Sequence, residues 1–299
     1  MKRLTLALYL IIAALPPFCQ AEAFRFSLLM RVMEEAHDEH SMQAVLETAH
    51  SNDPAFIIVN GLKRQSERCS ESLYRQRKHL LERATVPVIL SMAASDWAYC
   101  RDRQNRPAGL VWLNLLRDQF VGDLSTHSHR TLNIKHQSAM RAYRSYTENA
   151  RWVHDRVLFA TLHIAADNNQ YLEAAGRNHE FEDRLVANRE WIRRLTELAT
   201  RERFSGIVIF CDGDPLPAPS LRAADRDGYR EVRKQLGGLA EKSGLWVLVV
   251  QGATADTAKT SPDIHWADRL GHVTLPVGLS TLAVDSNAAP PFSVLSAEP

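Results

Sequence analysis

The sequence has almost no excess of charge of either sign, since its 299 residues contain 36 Lys and Arg against 35 Asp and Glu. A protein that binds nucleic acid through many phosphate contacts needs a strong positive field, so this balance argues against nucleic acid as the main partner. The chain also lacks a Gly-x-Ser-x-Gly motif and a Gly-rich phosphate-binding loop. The α/β-hydrolase and P-loop nucleotide-binding classes are therefore both unsupported.

Long apolar runs are scarce as well, and the run near the start is short. Two basic residues precede an apolar run over 4–15, and the small residues Ala21 and Ala23 suit signal peptidase. About a dozen apolar residues do not span a bilayer comfortably, so residues 1–23 are predicted to be a secretory signal peptide rather than an uncleaved anchor. We expect a periplasmic or secreted protein that has no membrane association after cleavage.

Cysteine is rare, with four in the whole chain, and Cys19 lies inside the predicted signal peptide. An exported protein can form disulfides, and three cysteines allow one bridge and one free thiol. We predict a Cys69–Cys100 disulfide, because both residues lie in polar, loop-like sequence. Cys211 follows an apolar run and is expected to be a buried thiol.

Short apolar runs alternate with helical patterns through the rest of the chain. Runs typical of buried strands occupy 24–30, 56–59, 88–90, 207–210 and 246–250. Apolar residues at helical spacing indicate helices around 42–49, 73–84, 110–120, 187–198 and 229–239. This alternation predicts a largely parallel sheet in one α/β domain over 24–285, with a hairpin within 151–164 and a flexible C-terminal tail over 286–299.

In open α/β sheets, ligands bind beyond the carboxyl ends of the strands. The segments that follow the predicted strands are Arg31-Val32-Met33, Asn60-Gly61-Leu62-Lys63, Ser91 to Trp97, Cys211-Asp212-Gly213-Asp214 and Gln251 to Ala255. These are the segments in which a site is expected.

The order of strands and loops resembles the calcineurin-like metallophosphoesterase superfamily, in particular its exported bacterial branch. The resemblance covers most of the chain after residue 23, and the stretches that carry it are 53–61, 69–74, 96–100, 158–169 and 247–252. It implies a four-layer αββα sandwich in a single domain. It also implies hydrolysis of phosphate mono- or diesters at a pair of divalent metal ions.

The chain departs from that family at each metal-binding loop. The family's Gly-Asp-x-His, Gly-Asp, Gly-Asn-His-Glu/Asp and Gly-His-x-His motifs are replaced by Met30-Arg31-Val32-Met33, Gly61-Leu62, Ala93-Ala94-Ser95-Asp96 and Gly252-Ala253-Thr254-Ala255. Arginine, leucine and alanine side chains at these positions offer no donor atom to a divalent ion. The resemblance therefore gives no metal ligand, no cofactor and no catalytic residue for this chain.

The charged residues that remain near these loops leave two interpretations open. In the first, Arg31, Lys63 and Arg64 form a cationic pocket that holds a phosphate or carboxylate ligand. In the second, Arg31 pairs with Asp96, Asp212 or Asp214 and closes a relic of the site.

Two further residues are candidates for ligand contact. His163 and Asn168 follow a predicted strand and resemble a family loop near the substrate. The alternative is that they are turn residues with no ligand.

The favoured function is therefore a non-catalytic, exported phosphoesterase-like protein with a binding or structural role and no identified partner. The alternative is an active phosphoesterase whose remodelled site uses Asp96, Asp212 and Asp214, with His37 or His163 as a further donor. The sequence leaves open whether the chain is an enzyme.

Other histidines are weaker candidates for metal binding. His37 and His40 lie three residues apart in an acidic run, which is also typical of a solvated helix start. His127, His129 and His136 lie in an irregular polar segment.

Overall fold

A computed structural model of the chain describes residues 23–31, 39–118, 132–172, 178–217, 227–252 and 262–298. A first sheet has the strand order β12-β11-β1-β2-β3. Its strands are β1 Phe24–Met30, β2 Ile57–Asn60, β3 Val88–Ser91, β11 Gly278–Val284 and β12 Phe292–Glu298. The first three strands along the chain pair in parallel, as the alternation of strands and helices predicts.

A second sheet has the order β4-β5-β6-β7-β8-β10-β9. Its strands are β4 Lys135–His136, β5 Ala150–His154, β6 Val157–Thr161, β7 Gly206–Phe210, β8 Trp246–Gly252, β9 His265–Ala267 and β10 Leu270–Leu275. β5 and β6 form the predicted antiparallel hairpin. The central strands β6, β7, β8 and β10 are parallel.

Helices cover the outer faces of the two sheets. They are α1 Glu39–Ser51, α2 Glu71–Glu82, α3 Gly109–Leu116, α4 His179–Arg201 and α5 Arg230–Ser243. α2 starts at the Ser70 cap, whose hydroxyl accepts a hydrogen bond from Leu73 N. α5 ends at Gly244 in the left-handed conformation that helix ends favour.

Three apolar layers hold the molecule together. One packs α1, α2 and α3 on the first sheet, the second lies between the sheets, and the third packs α4 and α5 on the second sheet. Trp97, Trp152 and Trp191 are buried, one in each layer. The chain is thus a mixed α/β sandwich of the metallophosphoesterase type, as the resemblance implies.

The prediction of a flexible tail over 286–299 is wrong for its second half, which contains β12. β12 pairs antiparallel with β11, and Phe292 is 5% exposed in the layer between the sheets. A Cβ on Gly206 would lie 2.6 Å from the Phe292 ring, so the tail packs directly on β7. Phe292 and the partly buried Val294 pack into the layer between the sheets, and this burial stabilises the edge strand.

The cysteine predictions are confirmed. Cys69 and Cys100 form a disulfide with Cα atoms 5.6 Å apart, and Cys211 is a buried free thiol. The bridge joins the loop after β2 to the loop after β3. In the described ranges, no helix combines the length and the apolar character that crossing a membrane requires.

Candidate functional site

The carboxyl ends of strands from both sheets meet at one place. A Cβ on Gly252 at the end of β8 would lie 3.6 Å from Asn60 Oδ1 and 3.8 Å from Arg31 Nε. Asp212, which follows β7, contacts both Arg31 and the loop after β3. We call Arg31, Asp96, Asp212 and the loop backbone that they contact the strand-end centre.

Arg31 occupies the first strand end with unusual backbone geometry. Its φ is 46°, in the left-handed region that a non-glycine residue adopts at a cost in conformational energy. Its backbone N–H donates to Asn60 O at 3.0 Å, which ties the turn to β2. Its guanidinium donates to Asp212 Oδ1 at 3.4 Å. The second sequence interpretation, in which Arg31 pairs with a nearby carboxylate, matches this contact.

Asp212 is almost fully enclosed by donors from three parts of the chain. Its Oδ2 accepts hydrogen bonds of 2.8 Å from both Ala94 N and Ala166 N, while Oδ1 faces Arg31. The next residue must be glycine, because a Cβ on Gly213 would lie 2.4 Å from Ala165 O. The loop therefore holds the carboxylate against backbone amides, and the carboxylate does not point into an open cleft.

Asp96 plays the same role on the neighbouring loop. Its two oxygens accept hydrogen bonds from Leu62 N at 2.6 Å and Ala93 N at 2.9 Å, and the residue is fully buried. Burial raises the pKa of Asp96 to about 7, while the two hydrogen bonds and Lys63 act in the opposite direction. The carboxyl thus closes the β2 and β3 loops on each other.

The other two residues of the hypothetical cationic pocket are already engaged. Lys63 is 2% exposed, and its ammonium donates to Arg64 O at 2.6 Å and Ser95 O at 2.9 Å. Arg64 lies 3.5 Å from a carboxylate oxygen of Glu67. Lys63 ties the loop after β2 to the loop after β3, and Arg64 pairs within its own loop, so this geometry does not favour a pocket shared with Arg31.

Asp214 follows Asp212 in the same loop. It acts electrostatically on His272 of β10 and on the thiol of Cys211. Burial lowers the pKa of His272, and Asp214 opposes that shift. Asp212 acts on the same thiol, but within the described residues Arg31 pairs with Asp212 and not with Asp214.

His163 belongs to a separate buried cluster at the end of β6. Its Nδ1 donates to Glu148 Oε1 at 2.9 Å, and Arg117 donates to the same carboxylate at 2.6 Å and 3.0 Å. We call these three residues the Glu148 network. Burial raises the pKa of Glu148, but Arg117 and His163 outweigh it and hold the pKa at about 2.

Asn168 lies in a strained turn that follows the same strand. Four consecutive residues, 167–170, have φ between 54° and 57°. Asn168 Oδ1 accepts a hydrogen bond from Gly228 N, and Arg184 Nη2 donates to Asn169 O. Asn168 therefore stabilises this turn through its side chain, which matches the interpretation of it as a turn residue.

Sequence reasoning missed Arg117, Glu148 and Arg184, although all three are buried charged residues. Glu148 lies two residues before β5, and a single acid near the start of a strand is a weak signal. Arg117 is 31 residues away in sequence, so only the fold shows that the two form an ion pair.

The strand-end centre does not fit the two divalent ions that the family resemblance implies. Leu62 and Ala94 are buried in the apolar layer under α3, and the oxygens of Asp96 and Asp212 accept hydrogen bonds from backbone amides. Asn60 Oδ1 is a buried oxygen with no hydrogen-bond partner in the described part of the chain, but the Arg31 cation lies at the same strand end. A fixed cation repels a metal ion, so the donor set disfavours one here.

Other metal hypotheses receive no structural support. Among the described residues, no group of three or more His, Cys, Asp or Glu side chains is placed to hold a metal ion. His37, His127 and His129 lie outside the described residues, as do Ala253 and Ala255. His136 bonds through Nδ1 to Thr147 O.

Several solved structures match this chain. One of them is that of PhoD, alkaline phosphatase D, which has a metallophosphoesterase-like fold, and it matches this chain with a TM-score of 0.55 at 10% sequence identity. The match covers 91% of this chain and 65% of PhoD. This chain therefore corresponds to just under two thirds of that protein's length. No protein-family model and no curated protein matches the sequence. At this identity the likeness to PhoD shows the fold alone.

Proposed function

We propose that this chain is a non-catalytic protein with a metallophosphoesterase-type fold, in which an internal ion pair replaces the dinuclear metal centre. The observation that carries the proposal is the contact of Arg31 with Asp212, whose other oxygen is held by two backbone amides. Its role is then to bind a ligand or a partner, or to serve a structural purpose.

The charge arrangement at the strand-end centre supports this proposal. A dinuclear centre needs several anionic or imidazole ligands to offset four positive charges. Here Asp96 and Asp212 are the two carboxylates of the centre, and Arg31 already offsets one negative charge. The centre is therefore close to neutral without any metal.

Export is part of the proposal. The predicted signal peptide over 1–23 directs the chain to the periplasm or to the outside of the cell. The Cys69–Cys100 disulfide supports this location, because such bridges persist in oxidising compartments.

A second candidate, an active phosphoesterase with a remodelled site, draws support from one observation. Asp96 has a pKa of about 7, which suits a general acid or base near neutral pH. However, Asp96 is fully buried, and both of its oxygens accept backbone hydrogen bonds. A substrate would have to displace those amides to reach the carboxyl group.

An activity assay separates the two candidates. The purified chain is tested on an aryl phosphate monoester and an aryl phosphodiester with added Mn²⁺, Zn²⁺ or Fe²⁺, beside an Asp212→Asn variant. We expect the same background rate for both proteins, with no effect of a chelator. Turnover that requires metal and is lost in Asp212→Asn would establish the active enzyme instead.

A further inference from the structure

A cavity of about 580 Å³ lies on the loops that the disulfide joins, and it is separate from the strand-end centre. Its walls come from residues 65–69 after β2 and from 98–107 after β3. The volume lies within the range of about 300–1,000 Å³ that is typical of small-molecule sites. Neither Arg31 nor Asp212 is among its lining residues.

Three arginines line this cavity without a carboxylate partner. Arg68, Arg101 and Arg103 are exposed in its wall, and no ion pair joins any of them to an acid within the described ranges. Arg101 donates to the backbone oxygen of Asn105, which orients its side chain and leaves its charge uncompensated. Arginine presents a planar set of donors that matches phosphate and carboxylate groups.

The two acids in the wall are already compensated by other arginines. Glu67 lies 3.2 Å from Arg77 and 3.5 Å from Arg64, neither of which lines the cavity. Asp102 pairs with Arg106 at 2.7 Å. The local charge is therefore positive, although the whole chain is almost neutral.

The walls of the cavity are held in place before any ligand arrives. The disulfide joins its two sides, and Asp102 N donates to Arg106 O across a tight turn. Tyr99 also lines the cavity, and its hydroxyl donates a hydrogen bond to the Asp167 carboxylate in the strained turn after β6. Preorganised walls reduce the entropy cost of binding.

We propose that this cavity binds a small, multiply charged oxyanion, such as a phosphorylated or polycarboxylate molecule, through Arg68, Arg101 and Arg103. The site does not depend on whether the strand-end centre is catalytic, because the two share no lining residue. Binding at this cavity and hydrolysis at the strand ends can thus be tested separately.

The test is calorimetric titration of the full chain with pyrophosphate and with citrate. The pocket variant is Arg68→Ala/Arg103→Ala, and the control is Arg141→Ala/Arg144→Ala, which removes two exposed arginines elsewhere. Circular dichroism and thermal melting establish that both variants are folded. We expect saturable binding of at least one probe, weakened about tenfold or more in the pocket variant and by less than about twofold in the control.

The two probes distinguish the sources of the anion. Tighter binding of pyrophosphate indicates a phosphorylated ligand, and tighter binding of citrate indicates a polycarboxylate; either result supports the site. The absence of saturable binding to both probes would overturn the proposal. Equal affinity in the pocket variant and the control would overturn it as well.

Discussion

Two buried carboxyl groups in this molecule, those of Asp96 and Glu148, respond to burial in opposite ways. Both are nearly inaccessible to solvent, with exposed fractions of 0% and 2%. The pKa of Asp96 rises to about 7, whereas the pKa of Glu148 falls to about 2. The difference lies in the donors, since Glu148 has a guanidinium in direct contact and Asp96 is held by two neutral amides.

The comparison shows what each region does. The Glu148 network is a buried cluster that joins the end of α3, β6 and the segment before β5, and the Arg117–Glu148 ion pair at its centre depends on remaining charged. The strand-end centre holds its carboxyl groups mainly through backbone amides, and Arg31 is the cation in contact with one of them. Burying a charge is costly without a partner, so the two regions should differ sharply when a charge is removed.

The largest effect is expected from Glu148→Gln. This change leaves the buried Arg117 guanidinium with only the more distant Glu180 carboxylate, 3.8 Å away. Loss of the closest partner of a buried charge destabilises a fold by about 3–5 kcal/mol. Urea unfolding measures the loss. The control is Glu197→Gln, which breaks an exposed pair with Arg193 and should cost less than about 1 kcal/mol. Equal losses would show that the Glu148 network adds no more stability than a surface pair.

A slightly smaller effect is expected from Cys69→Ser/Cys100→Ser. The bridge links residues 31 apart, and opening a loop of that length lowers the free energy of unfolding by about 3–4 kcal/mol. Thermal melting with and without a reducing agent measures the change. The reductant should lower the melting temperature of the natural chain and leave that of the variant unchanged. A reductant-sensitive variant would contradict this assignment.

Stability should also depend on pH through Asp96. The folded pKa is raised above the unfolded value, so the protonated carboxyl favours the fold and this contribution is lost as the pH rises through about 7. Between about pH 5 and about pH 7, the loss amounts to roughly 2 kcal/mol. Asp96→Asn should remove this part of the pH dependence.

The matched control for that experiment is Asp102→Asn. Hydrogen bonds with Arg106 lower the pKa of Asp102, so its ionisation lies below the same pH window. Urea unfolding at several pH values should therefore show the same dependence of the free energy of unfolding on pH in this variant as in the natural chain. If the free energy of unfolding of Asp96→Asn also keeps that dependence on pH, the pKa of Asp96 is not raised to about 7.

The smallest effect is expected from Asp212→Asn. The new amide retains an oxygen for Ala94 N and Ala166 N, but it places a donor against Arg31 and removes the ion pair. We expect a loss of about 1–2 kcal/mol in the free energy of unfolding. Asp214→Asn, in the same loop but outside the ion pair, should change it by less than about 0.5 kcal/mol. A larger loss in Asp214→Asn would mean that the ion pair does not close this loop.

The sequence predicts the framework of this fold better than its charged contacts. Apolar periodicity locates the strands and helices because burial depends on patterns within a few residues. The disulfide could be predicted because three cysteines follow residue 23 and two of them, Cys69 and Cys100, lie in polar, loop-like sequence. The edge strand β12 could not be predicted, because its partner β11 and its contact with Gly206 come from the tertiary structure.

The candidate site was predictable only in part. The positions of Arg31 and Asp212 follow from the rule that strand ends meet, but their contact joins residues 181 apart. The contact of Lys63 with Ser95 likewise joins two different loops. Such contacts depend on how loops from two sheets interlock, and no local pattern encodes that arrangement.

The central claim is that protein groups, and no pair of metal ions, fill the strand-end centre. Crystals soaked in Mn²⁺ and measured at the manganese absorption edge test it directly through anomalous scattering. We expect no peak beside Asp96 or Asp212, and density for the Arg31–Asp212 contact. Two peaks about 3.5–4 Å apart at those strand ends, with Arg31 displaced, would contradict the claim.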